Sequence, residues 1–236
     1  MDPDQYLAGP RHRVGQVAEL EQRELIADIA DGASFDHREG RDAFARYLRA
    51  YYARALVMPY GRFLRACEAT AYEPQVLARR FATDVGEVAR RFTTLQRVGQ
   101  RGLPFFVGRI DGSVQLFERL LGASGTSLLD RRPGCPRLGL ERRAEWHSQA
   151  IMMESGALGP EHWLVAHIAA PPYADEPRTD VLLLGLEAKF ADATVIGRGV
   201  SLKEDDATPI GPGCRTCRRI ECPARSLRGP IQTAVA

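Results

Sequence analysis

The residues with the most chemistry in this chain are its cysteines. There are five, Cys67, Cys135, Cys214, Cys217 and Cys222, and three of them crowd into the segment Gly213-Cys214-Arg-Thr-Cys217-Arg-Arg-Ile-Glu-Cys222-Pro223. The pattern is C-x2-C-x4-C-P. A CxxC turn puts two thiolates on one side of a tight loop, and a third cysteine one turn onward closes a face of a tetrahedron or a cubane. Thiolates select zinc or an iron–sulfur cluster, 4Fe–4S in form, over hard cations; the ligands alone do not separate the two. Three donors are one short of four. Cys135, in the turn-like Pro133-Gly134-Cys135-Pro136, is the expected fourth ligand, whereas Cys67, within FLRACEA, reads as a small buried helix residue. Arg215, Arg218, Arg219 and Arg225 flank the cluster, where they would lower thiol pKa values and offset the charge of a tetrathiolate site. The competing reading is three reduced thiols with no ligand. An odd cysteine count with no secretory signal argues against a disulfide framework.

A second feature lies at Pro74–Leu95. Its spacing suits a helix-turn-helix: Ala78 where two helices cross, a turn at Ala82-Thr83, Asp84 capping the second helix and Val88 packing back. Arg79, Arg80, Arg90, Arg91 and Arg97 are then candidates to face DNA phosphates. The same spacing also suits a hairpin that only packs, and both readings stay open.

Other chemistry is hard to find. There is no HExxH, P-loop or GxGxxG, and no nucleophile–base arrangement, so no catalytic residue is expected and the chain reads as a non-enzyme. His162 and His167 are five apart in a strand-like stretch and point to opposite faces. Trp146, Met152, Met153 and Trp163 read as core packing.

The elements that must position these residues follow from composition and periodicity. The 236 residues are 44% hydrophobic and 26% charged, which fits a globular protein and excludes a disordered or fibrous one. The longest apolar run, Val181–Leu186, is too short to span a bilayer, so no membrane partner is expected and the cytoplasm is the expected compartment. Net charge is only +2, yet 30 of the 32 basic residues are arginine, consistent either with a GC-rich genome or with phosphate contact. Val14–Asp31, Arg41–Val57 (with Phe44, Tyr47, Leu48 and Tyr51 on one face) and Pro74–Gln96 carry helical spacing, and Pro59 stops or kinks the second of these. After Gly99 the pattern turns to strands at Leu103–Ile110, Ser113–Leu120, His162–Ala169, Val181–Leu186 and Thr194–Val200, with Asp111-Gly112 marking a hairpin. The expected fold is α+β: a helical part over 1–100 ending in the 74–97 hairpin, and a small mixed α/β sensor part over 101–236 with the cysteine motif at 207–225.

These residues resemble a known family. Arg54-Ala-Leu-Val-Met58-Pro59-Tyr60-Gly-Arg62-Phe63 is similar to a segment of ImmA/IrrE-like domains, with Leu77–Phe81, Arg91–Arg97 and Gly102–Phe106 following at matching positions. Ala207-Thr-Pro209-Ile-Gly211-Pro-Gly213-Cys214 through Arg225 resembles the C-terminal signature of the short-chain fatty acyl-CoA regulators, bacterial transcription factors of acetate and propionate catabolism. The resemblance runs from about Gln16 to Pro230. It implies a regulator or its sensor module, acting through a cysteine-ligated metal or iron–sulfur centre, an acyl-CoA effector, or both, and a homodimer. Arg215, Arg218, Arg219 and Arg225 would then meet effector phosphates. Three departures are visible. The family's N-terminal helix-turn-helix is absent from this sequence, as is the zinc-binding helix of ImmA/IrrE peptidases. The family's GLGC stands here as Leu184-Gly-Leu-Glu187, which throws more weight on Cys135. DNA is therefore expected as a partner either directly or through a full-length regulator. The alternative function is a sensor module that does not bind DNA and dimerises with such a regulator.

Overall fold

The computed structural model describes residues 37–110, 116–122, 135–138, 143–155, 159–169, 180–214, 217–219 and 221–225, with residues 116, 117, 154, 155 and 159 described by their backbone only. The expected helix at Val14–Asp31 and the Asp111-Gly112 turn lie outside the described residues. The chain divides into two compact units, Met1–Pro59 and Tyr60–Ala236.

In the first unit, α1 spans Arg38–Val57. Its apolar stripe is Phe44, Leu48 and Tyr52 packed around buried Ala45, a four-residue repeat along one face. Tyr47 and Tyr51, expected on that face, fall on its flank and are 45% and 39% exposed. The helix ends at Met58, whose backbone (φ −120°, ψ 73°) has left the helical region that a following proline disfavours.

The second unit begins with three short helices: α2 (Tyr60–Ala69), α3 (Pro74–Arg80) and α4 (Val85–Phe92). The sequence sets their limits. Pro74 occupies the first turn of α3, and Glu73 accepts from the Gln75 N–H at 3.3 Å. Asp84 accepts from the Glu87 N–H at 2.9 Å and starts α4. Between them Ala82 takes a left-handed turn, φ 50°. Phe63, Tyr72, Phe81, Phe92 and Phe105 form a chain of ring contacts with centroids 4.9–5.8 Å apart, which ties the helices to the entry of the sheet.

Around the expected boundary at residue 100 lies a two-stranded ribbon of β1 (Gln96–Arg97) and β2 (Gln100–Arg101). A six-stranded sheet follows: β3 (Phe106–Ile110), β4 (Leu116–Leu121), β5 (His147–Ser155), β6 (Gly159–Ala169), β7 (Val181–Glu187) and β8 (Thr208–Ile210). The order is β4-β3-β7-β6-β5-β8, antiparallel except for the parallel β5–β8 pair at one edge. β3 and β4 pair as the hairpin signal predicts. One expected strand is overturned: residues 194–200 contain a 3-10 turn at Val195–Gly197, not a strand. The preceding 3-10 segment, Ala188–Ala193, and the Val195 N–H bonded to the Ala71 carbonyl hold this stretch against the helices instead.

The sheet is covered on both faces, so its central strand β7 reads VLLLGLE without alternation and is buried along almost its whole length. One face carries Phe106, Ile110, Ile151, Met153, Trp163, Val165, Leu183 and Ile210, closed over by Cys135 and Leu138. Phe106 lies over Gly185, where a Cβ would stand 2.3 Å from the ring. The opposite face carries Val107, Arg109, Leu182 and Leu184. There Arg109 pairs with Asp180 at 2.7 Å, both side chains almost fully buried.

Candidate cysteine site and helical hairpin

β8 is the element that delivers the cysteines. Its residue Ile210 is buried in the sheet core beside Cys135, and the 3-10 turn Pro136–Leu138 packs against the same strand. The chain then leaves the sheet at Gly211. A Cβ there would meet the Cys217 Sγ at 2.7 Å, so glycine is what lets the thiol settle against the backbone. The Cys217 N–H bonds to the Gly213 carbonyl at 2.9 Å and closes the CxxC turn, with Gly213 at φ 120°. Cys217 thus lies against Gly211, while Cys135, far away in sequence, shares a buried core cluster with the preceding Ile210.

All five cysteines are free thiols; Cys214, Cys217 and Cys222 are half-buried and Cys135 is buried. Among the described residues, no three Cys, His, Asp or Glu side chains are grouped closely enough to hold a metal ion. Thiols are soft-metal donors, but the described side chains are not drawn together as a ligand set. Cys67 stands apart. It is fully buried in α2, where burial and then the neighbouring Glu68 push its thiol far above the usual range.

The flanking arginines divide by role. Arg225 donates to the Cys214 carbonyl at 3.2 Å, to the Cys217 carbonyl at 3.5 Å and to the Arg219 carbonyl, so one guanidinium gathers three carbonyls of the loop. Arg219 donates to the Pro209 carbonyl at 2.6 Å and pins the loop to β8. These two arginines, expected to face effector phosphates, are spent on loop backbone. Arg218 is exposed, and Arg215 lies outside the described residues.

The 74–92 hairpin has the expected geometry: Ala78 and Val88 are buried, the turn falls at Ala82 and Asp84 caps. Its expected DNA-facing arginines need correction. Arg90 is 6% exposed and holds Glu118 of β4 through two bonds, 2.7 and 2.8 Å, with a third to Glu87 at 2.6 Å. Arg91 is 3% exposed and donates to Thr94. From Val88 to Phe92, α4 is buried. A recognition helix must present its side chains to a groove, and this one presents them to the protein's own interior. Arg79 and Arg80 remain exposed, as does Arg97, whose guanidinium lies 4.4 Å from the Tyr60 ring centroid.

His162 and His167 do lie on opposite faces of β6. The strand β5 gives His167 a neighbour that the sequence reading missed: His147 is its cross-strand partner, with ring centroids 5.2 Å apart. Met153 and Trp163 are core, as expected, while Met152 and Trp146 are half-buried. No helix among the described residues is long and apolar enough to cross a membrane.

Comparison with known proteins places these features in a lineage. Residues 94–235 match the family described as short-chain fatty acyl coenzyme A regulator, C-terminal. The chain is 34% identical over 218 residues to a propionyl-CoA carboxylase regulator of Cereibacter sphaeroides, covering 90% of this chain and 46% of that protein. It is 30% identical over 219 residues to the HTH-type transcriptional regulator RamB and 31% identical over 221 residues to the HTH-type transcriptional regulator PrpR, both of Mycobacterium tuberculosis. The chain spans about half the length of these curated relatives. A solved Mycobacterium tuberculosis transcriptional regulator superposes with a TM-score of 0.74 at 28% identity, over 90% of this chain and 66% of that one.

Proposed function

Because this chain belongs to the short-chain fatty acyl-CoA regulator family, we propose that it is the sensing part of a transcriptional regulator of short-chain acyl-CoA metabolism, in which the cysteine loop reports its state to the helical hairpin through the sheet. The observation that carries the reading is the delivery of Cys214, Cys217 and Cys222 by an edge strand whose Ile210 shares a buried core cluster with Cys135. In this proposal these four thiols hold an iron–sulfur cluster or zinc. A cluster would supply redox sensitivity and zinc a structural clasp.

The chain's own residues supply the rest. Gly211 keeps space for the Cys217 thiol, and Arg225 and Arg219 hold carbonyls of the loop and of β8. Among the described flanking arginines Arg218 is the exposed one, and in this reading it meets the phosphates of an acyl-CoA effector. Burial of α4 favours DNA engagement through a full-length regulator over direct reading by this hairpin. A homodimer of sensing parts suits that arrangement.

The test is anaerobic purification with metal, sulfide and visible-absorption analysis. Iron with matching sulfide, lost in Cys217→Ser and in Cys135→Ser, supports a cluster. Zinc at one per chain supports a clasp. A folded protein with neither removes the metal from the reading. Binding of a short-chain acyl-CoA, weakened by Arg218→Ala, tests the effector separately.

A further inference from the structure

A concave site lies between α2 and α3, apart from the cysteine loop. Arg62, Arg65, Ala66 and Ala69 fall at i, i+3, i+4 and i+7 of α2 and so share a face. Arg80, the last residue of α3, and Phe81 stand opposite. Together the six line a pocket of about 230 Å³. The two alanines keep its floor low, and the edge-on contact of Phe81 with Phe63, centroids 5.3 Å apart, fixes one wall. Three of the six lining residues are arginines, and no carboxylate residue is part of the lining. The buried arginines Arg90 and Arg109 each have a carboxylate partner. Among the described residues none pairs with Arg62, Arg65 or Arg80.

Gathering three like charges without a counter-charge costs energy that a bound anion relieves. The planar guanidinium fork matches phosphate oxygens in pairs. The pocket is smaller than the roughly 300–1,000 Å³ that holds a drug-sized ligand, so it suits a phosphorylated group and a short ester more than a large cofactor. Its concavity and the burial of α4 speak against a duplex backbone as the occupant.

We propose that this pocket binds a small phosphorylated ligand by its phosphate or diphosphate group, with Arg62, Arg65 and Arg80 as the anion clamp and Phe81 as the apolar wall beside the ester. The inference is independent of the metal reading above. It is tested by calorimetric titration of the full chain with pyrophosphate and with inorganic phosphate, against sodium chloride at matched ionic strength. The expected result is saturable one-site binding, weakened about tenfold or more by Arg65→Ala and by Arg80→Ala. Ala69→Phe, which fills the groove at unchanged charge, is expected to weaken it as well. All these positions are at the surface, so thermal melts close to the parent are expected and report that each variant is folded. No saturable heat, or equal binding by parent and variants, overturns the proposal. So does a short DNA duplex whose binding depends on these arginines while pyrophosphate shows no saturable signal.

Discussion

Replacing Arg90 by alanine tests whether the hairpin's second helix builds the fold. The side chain is 6% exposed and makes three charge-assisted bonds, at 2.7 and 2.8 Å to the two Glu118 oxygens and at 2.6 Å to Glu87. A hydrogen bond to a charged group is worth about 1.5–3 kcal/mol, and breaking a fully buried pair costs about 3–5 kcal/mol. Both glutamates keep about a quarter of their side chains exposed, so water rehydrates them once the arginine is gone. The three bonds also share one guanidinium and do not add. The expected loss is therefore about 2–3 kcal/mol, or a fall in Tm of about 4–12 °C for a chain of this size. Arg79→Ala, at the exposed end of α3, is the reference and should stay within about 0.5 kcal/mol of the parent. Urea unfolding of Arg90→Ala, Glu118→Ala and the double variant should give a coupling of about 1–3 kcal/mol. A loss in Arg90→Ala no larger than in Arg79→Ala, or no coupling to Glu118, would refute the reasoning and return Arg90 to the surface.

Three further outcomes follow from local geometry. Gly211→Ala places a Cβ 2.7 Å from the Cys217 sulfur, so it should displace that thiol, raise its rate of alkylation and lower metal or cluster loading, read by mass spectrometry and metal analysis. Cys67, buried and with its thiol pushed up, should resist alkylation in the native protein while Cys214, Cys217 and Cys222 react; labelling of Cys67 at rates like the loop cysteines would contradict its placement. Burial pushes the Tyr72 hydroxyl up to about 12, whereas the unfolded chain ionises near 10. The neutral form is the one the fold accepts, so this contribution is complete below pH of about 10 and is lost as pH rises from there toward 12. Tyr72→Phe should flatten that alkaline slope in urea-melt series.

Much of the fold was legible because the signals were local. Pro59, Asp84 and Ala82 act within a turn of themselves, and the β3–β4 hairpin announces itself by an Asp-Gly step between apolar runs. What was missed depends on partners. β5, HSQAIMMES, has too few apolar residues at its start to read as a strand, and it forms because β6 and β8 satisfy it on both edges. β8 is three residues long and contains a proline, so nothing in its own composition announces a strand; the parallel pairing to β5 makes it one. The segment 194–200 looked like a strand for its β-branched residues, but Gly197 sits where a Cβ would meet the Ala191 carbonyl at 2.4 Å, and that close approach bends it into a 3-10 turn.

The same distinction governs the site. The C-x2-C-x4-C spacing is local, and it names three donors without any knowledge of the sheet. Whether Cys135 joins them depends on β8, the short strand that carries the loop past it, and a three-residue edge strand is the least secure element of the sheet. That weakness suits a sensor. A loop held by Arg225 and Arg219 through carbonyls, at the end of a strand with few hydrogen bonds, can rearrange at little cost while the β3–β7–β6 core stays intact. The arginines tell the complementary story. Nine of them were expected at phosphates, yet burial assigns Arg90 and Arg91 to the fold, as it does Arg109, and backbone contacts assign Arg219 and Arg225 to the loop. Arg62, Arg65 and Arg80, which share a concave wall without a carboxylate among its lining residues, are where an anion has the most to neutralise.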